Sequence, residues 1–130
     1  MTSNKNTTKK AIVYVTNFLE RNDWVVSDVQ YGNKHNGYDL IARKNRKNIK
    51  IEVKGTTVEY GIPDCYETEF NDGRLVATHM YIVSFYNKDK PKLFIVPRKA
   101  FKPEYLRVKM GYRIKPKFKK EILPLYEQKS

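Results

Sequence analysis

Two acidic residues and a lysine lie in neighbouring apolar segments of the chain. Asp39 lies in segment 38–42, Glu52 lies in segment 49–53, and Lys54 follows directly. Both segments alternate between apolar and polar residues, which is typical of β-strands with one buried face. The polar stretch between them predicts a β-hairpin that carries all three ionisable side chains.

The turn of this hairpin decides which residues face each other. If the turn is centred between Asn45 and Arg46, an antiparallel pairing places Asp39 directly opposite Glu52. Lys54 then lies on the same face as Glu52, because strand side chains return to a face at every second position. The other face is apolar and is predicted to belong to the core; it carries Leu40, Ala42, Ile49, Ile51 and Val53.

Two facing carboxylates are suited to a hard divalent cation. Mg²⁺ is usually held by one or two carboxylates together with waters and phosphate oxygens. Such an ion lowers the pKa of a bound water and contacts the oxygens of an in-line displacement. Lys54 could orient that water or stabilise charge on the phosphate. The three residues therefore predict a Mg²⁺ site, in which Mn²⁺ could substitute; the alternative is an ordinary solvated sheet face.

Residues 37–40, GYDL, and residues 51–56, IEVKGT, resemble the motif of the PD-(D/E)XK nuclease superfamily. The resemblance implies a restriction-endonuclease-like α/β core, with a mixed central β-sheet flanked by helices in the order αβββ and then ββ. It also implies a metal-dependent endonuclease that hydrolyses DNA, of the restriction, repair or junction-resolving type. The alternative that stays open is a non-catalytic nucleic-acid-binding module of the same fold.

The resemblance also assigns roles to individual residues. It implies that Asp39 and Glu52 bind Mg²⁺ through their carboxylates. Val53, between the Glu and the Lys, would contribute its backbone carbonyl to the same ion. Lys54 would assist the water that attacks phosphorus.

The charge of the chain favours a polyanionic partner. Lys and Arg number 26 against 14 acidic residues, which gives a net charge of +12 and an isoelectric point near 9.7. Such a balance is typical of nucleic-acid-binding proteins, and we expect the partner to be DNA. The candidate phosphate contacts lie in the loop before Asp39 and in the hairpin turn, although both could serve solubility alone: Lys34, His35, Lys44, Arg46 and Lys47.

Hydrophobic periodicity predicts the elements that position this site. Apolar residues at spacings of three and four predict a helix over 8–22, after a loose N-terminus at 1–7. The remaining strands are predicted at 24–31, 80–86 and 93–96. The acidic residues of 58–76 are predicted to lie mainly on the surface; the alternative is that one of them adds a ligand to the nearby metal site.

Length and composition indicate one folded domain over 1–130, ending in a basic segment, 104–130. The single cysteine, Cys65, excludes an intramolecular disulfide and a zinc cluster. No apolar run is long enough to cross a membrane, and the N-terminus lacks a signal-peptide pattern, so we expect a soluble cytoplasmic protein. A homodimer is expected, because cleaving both strands of a duplex normally takes two sites.

Overall fold

The computed structural model describes residues 2–28, 37–61, 69–71, 73–109 and 111–128. The first element is helix α1, Thr2–Arg21. The prediction of a loose N-terminus before Thr8 was wrong for residues 2–7, because the helix already includes them. They are polar and give no apolar stripe, but extending an existing helix costs far less than nucleating one. Within the described residues, no helix is both long and apolar enough to span a lipid bilayer.

Among the described residues, nine strands follow α1. They are β1 (Val25–Asp28), β2 (Leu40–Lys44), β3 (Lys47–Thr56), β4 (Phe70–Asn71), β5 (Arg74–Leu75), β6 (His79–Ser84), β7 (Lys92–Pro97), β8 (Leu106–Lys109) and β9 (Gly111–Ile114). Five of them form one sheet in the order β1-β2-β3-β6-β7. Only β3 and β6 run parallel; the other neighbours are antiparallel. The predicted α/β class, the mixed sheet and the order αβββ then ββ are therefore confirmed. The hairpins β4–β5 and β8–β9 were not predicted.

The register of the first hairpin is the one that the sequence predicts. Leu40 pairs with Ile51 and Ala42 with Ile49, and the ladder closes on Lys44 opposite Lys47. The two-residue turn between them places Asn45 at a φ of 57°, a left-handed conformation that Asn tolerates better than most residues. Because a slip of one position would turn the apolar residues out of the core, the alternation itself fixes this register.

Apolar side chains cover both faces of the sheet. On one face, α1 contributes a buried stripe that packs against β2, β3 and the outer strands: Ala11, Ile12, Val15 and Leu19. On the other face, the connection between β3 and β6 and the C-terminal elements cover β6 and β7. These C-terminal elements include α2 (Pro116–Glu121) and 3-10 turns at Arg98–Ala100, Pro103–Tyr105 and Leu123–Tyr126.

The basic C-terminal segment is part of this second core. Phe118 and Leu123 are buried, and the Phe118 ring stacks on Phe101 with centroids 5.1 Å apart. Leu125, in contrast, is 73% exposed. Phe118 and Leu123 therefore pack this segment against the sheet.

Candidate active site

Strand β3 positions the glutamate and the lysine of the predicted site. Glu52 and Lys54 lie on the sheet face opposite to α1, whereas Ile51 and Val53 point into the α1 core. Glu52 is only 5% exposed. The Lys54 ammonium Nζ lies 3.4 Å from Glu52 Oε2, so the two form an ion pair along the strand.

Asp39 reaches the same strand from the chain before β2. Gly37, at a φ of 82°, turns the backbone in a conformation that favours glycine. The Asp39 backbone N–H then donates to the Ile51 carbonyl at 2.8 Å, and Asp39 Oδ2 accepts the Val53 N–H at 2.9 Å. These hydrogen bonds fix the Asp39 carboxylate beside the backbone of Val53, the residue between Glu52 and Lys54 on β3.

The Val53 carbonyl points toward the same side of β3 as its N–H. Within a strand, the N–H and C=O of one residue face the same neighbour, and the next residue faces the other way. The Lys50 carbonyl accepts a hydrogen bond from the backbone N–H of Thr78, the residue directly before β6, so the backbone groups of Lys50 face β6. Val53 lies three positions after Lys50, so its N–H and C=O face the opposite neighbour. That neighbour is the segment that carries Asp39. The two predicted carboxylates and the predicted carbonyl converge on this part of β3.

A third acidic residue joins them, and the sequence prediction for it was wrong. Glu69 was expected on the surface, but it is 6% exposed and its Oε2 accepts from Lys54 Nζ at 2.7 Å. Two contacts hold it there: the Val76 N–H donates to the Glu69 carbonyl, and the Phe70 ring packs edge-on against Phe101. The only sequence signal was an acidic residue directly before an apolar one in the connection to β6.

Burial makes Asp39 and Glu52 costly to ionise. Burial raises the pKa of Asp39, although the Val53 N–H and the Lys54 charge oppose that rise. Burial also holds the pKa of Glu52 well above its ordinary value. Lys54 counteracts part of that rise in the pKa of Glu52, whereas the negative charges of Asp39 and Glu69 add to it. A cation that entered between these carboxylates would lower both pKa values.

Raising the pH should destabilise the protein relative to its Glu52→Gln variant. Between the ordinary pKa of 4.5 and the raised pKa, the folded chain retains a Glu52 proton that the unfolded chain has lost. The unfolding free energy of the wild type should therefore fall relative to that of the variant as the pH rises through this window, and then level off. Urea denaturation across a pH series measures the difference; a difference of opposite slope would contradict the burial of an acid here.

The donor atoms fit a hard divalent cation that keeps part of its own hydration. Carboxylate and carbonyl oxygens are the ligands that Mg²⁺ prefers, and it commonly takes only one or two carboxylates from the protein. Among the residues that the structure describes, no three His, Cys, Asp or Glu side chains form a ready-made metal cluster. Asp39, Glu52 and the Val53 carbonyl would hold the ion, and Lys54 would have to move away from Glu52 Oε2.

The three predicted phosphate contacts that the structure describes, Lys44, Arg46 and Lys47, do not lie around these acids. Lys34 and His35 are outside the described residues. Lys44 donates to the Asn22 carbonyl at 2.8 Å and lies over the Trp24 ring, so it ties the hairpin to the end of α1. Arg46, in contrast, is exposed at the hairpin tip.

The hairpin tip is remote from the candidate active site. Lys47, the last predicted phosphate contact, is exposed and lies about 23 Å from Lys54 along β3, at about 3.3 Å per residue. Together with Lys44 and Arg46, it lines a groove of about 500 Å³ beside Trp24. Any phosphate bound at the tip is therefore several nucleotides from one bound beside Lys54.

The comparison with known families supplies the classification. Residues 7–96 match the model of the family described as Protein NO VEIN, C-terminal. The chain belongs to this family. The NO VEIN match begins in α1 and ends within β7, so it covers the sheet and the positions of Asp39, Glu52, Lys54 and Glu69. Neither the curated proteins nor the solved structures contain a match to the chain.

Proposed function

We propose that this domain is a Mg²⁺-dependent nuclease that hydrolyses phosphodiester bonds in DNA, with a core related to the PD-(D/E)XK superfamily. The observation that carries the proposal is the convergence of Asp39, Glu52 and Lys54 on one side of β3, around the Val53 backbone. The 2.9 Å hydrogen bond from the Val53 N–H to Asp39 Oδ2 and the 3.4 Å ion pair between Lys54 and Glu52 define this arrangement. The net charge of +12 supports a nucleic-acid substrate.

Each residue has a role that follows from its chemistry. When bound, the metal ion would supply an acidic water and stabilise charge on the phosphate. Asp39 and Glu52 provide the negative charge and the oxygen donors, and the Val53 N–H fixes the orientation of the Asp39 carboxylate. Lys54 provides a positive charge at the place where a phosphate gains negative charge during attack.

Glu69 is proposed to position Lys54. A lysine side chain is a flexible chain of four carbons, so its ammonium group has a defined position only when another group holds it. The 2.7 Å contact with Glu69 is shorter than the 3.4 Å contact with Glu52, so Glu69 fixes the ammonium more closely. If a metal ion engages Glu52, Lys54 can retain Glu69 as its partner and remain within the site.

A cleavage assay tests the proposal directly. Supercoiled, junction-shaped and single-stranded DNA should be cut in the presence of Mg²⁺ or Mn²⁺ and left intact with chelator. Asp39→Asn should abolish cutting, because it removes a metal ligand. Asp23→Asn is the matched control: Asp23 is exposed and lies at a φ of 68°, which Asn also tolerates. Cleavage that persists with chelator, or in Asp39→Asn, would reject the proposal.

A second candidate is a nucleic-acid-binding module without hydrolytic activity. One observation favours it: Lys54 already contacts Glu52 and Glu69, so the site balances part of its own negative charge without a metal ion. Such a module would bind DNA in a salt-sensitive manner and would cut no DNA under any metal condition. For the nuclease, we also propose a homodimer, because each domain offers one set of these residues and a duplex has two strands.

A further inference from the structure

A second basic groove lies apart from the candidate active site. It is formed where the N-terminal half of α1 passes the ends of β3 and β6, and its volume is about 560 Å³. This volume falls within the range of about 300–1,000 Å³ that is typical of ligand-binding pockets. None of the residues assigned above to metal binding, catalysis or phosphate contact lines it.

Three lysines give this groove a positive charge. Lys9 and Lys10 are exposed on α1, and Lys88 is exposed in the turn between β6 and β7. No acidic side chain is found among the described residues that line the groove. Because cations stand on both the helix side and the sheet side, an extended anion lying between them would be contacted from both walls.

The surface between the lysines is apolar and partly aromatic. Tyr14 and Phe85 are half-buried, with their rings edge-to-face and their centroids 6.3 Å apart. Val13 is 59% exposed, and lies one helical turn from Lys9, on the same side of the helix. Apolar and aromatic surface beside a row of cations is the combination by which proteins bind unpaired bases and the phosphates that link them.

We propose that this groove binds single-stranded nucleic acid, with its lysines at the phosphates and with Val13, Tyr14 and Phe85 against a base. A single strand is favoured over a duplex because the base faces of a duplex are already stacked on one another. The proposal goes beyond the hydrolytic site and does not require that site to be active.

Fluorescence anisotropy with a labelled oligothymidylate, in the presence of chelator, tests this proposal without any cleavage. Lys9→Ala/Lys10→Ala/Lys88→Ala should weaken binding at least about tenfold and reduce the slope of log K against log salt by about 2, since each phosphate contact on a single strand contributes about 0.7. The matched control replaces three exposed lysines elsewhere, Lys102, Lys119 and Lys120. An equal loss in both triple variants, or no loss in the first, would overturn the proposal.

A second pair of variants tests the apolar part of the groove. Val13→Glu places a negative charge between the lysines and should weaken oligothymidylate binding about tenfold, whereas Leu125→Glu makes the same charge change at another exposed apolar side chain. Both sites are exposed, so both variants should fold. Equal oligothymidylate affinities of the two variants would mean that this groove is not the binding site, whatever the outcome of the cleavage assay.

Discussion

Replacing Glu52 by Gln should lower the rate of metal-dependent DNA cleavage by about 10³-fold, which corresponds to about 4 kcal/mol of transition-state stabilisation. The amide keeps the size of the side chain but loses the negative charge that a divalent cation requires. It also removes the acid whose ionisation burial opposes, so the variant should fold at least as stably as the wild type at neutral pH. Single-turnover cleavage with saturating Mg²⁺ measures the rate.

Two further variants show whether the loss belongs to this site. Glu69→Gln should reduce the rate less, by about 10- to 100-fold, because Lys54 loses the charge of its closer partner but keeps Glu52. Glu104→Gln makes the same change at an exposed acid, whose side chain is 56% accessible, and should leave the rate unchanged. If the Glu52→Gln enzyme cuts DNA as fast as the Glu104→Gln enzyme, Glu52 does not take part in cleavage.

Replacing Gly55 by Val should lower the unfolding free energy by about 3 kcal/mol. Gly55 follows Lys54 on β3 and lies directly beneath α1. A Cβ atom at this position would lie 2.7 Å from the Thr7 carbonyl oxygen and 3.1 Å from the Ala11 Cβ. Because the first of these neighbours is helix backbone, the clash cannot be relieved by rotating a side chain, and α1 must move away from the sheet.

Asn48→Val is the matched control for that substitution. Asn48 is exposed on the same strand, and Val is favourable in strands, so the variant should be as stable as the wild type. Urea denaturation compares the three proteins. An unchanged unfolding free energy in Gly55→Val would mean that α1 does not approach β3 as closely as described here.

The glycine in this motif therefore has a packing explanation. The sequence places Gly55 directly after the candidate lysine, Lys54, but does not show which part of the protein packs against this glycine. That neighbour is α1, whose residue Thr7 comes from the segment that was predicted to be loose. The same close contact holds the turn of α1 around Thr7, which has little apolar periodicity, against the sheet.

Local pattern by itself determined the β2–β3 hairpin and the core of the candidate site. The alternation in β2 and β3 and the length of their turn fix the register, and the register places Asp39, Glu52 and Lys54 on one side of β3. Such features depend on residues close together in the chain, and a period of two is readable from sequence alone. Their assignment to catalysis stays a prediction until cleavage is measured.

Only the tertiary structure decided the remaining features. Glu69 joins Lys54 through the connection between β3 and β6, Lys44 binds the end of α1, and Lys88 and Lys10 line one groove from the sheet and from the helix. Each of these contacts joins residues far apart in the chain. No local pattern encodes them, because they depend on how apolar faces of separate elements pack together, and the packing carries the polar residues with it.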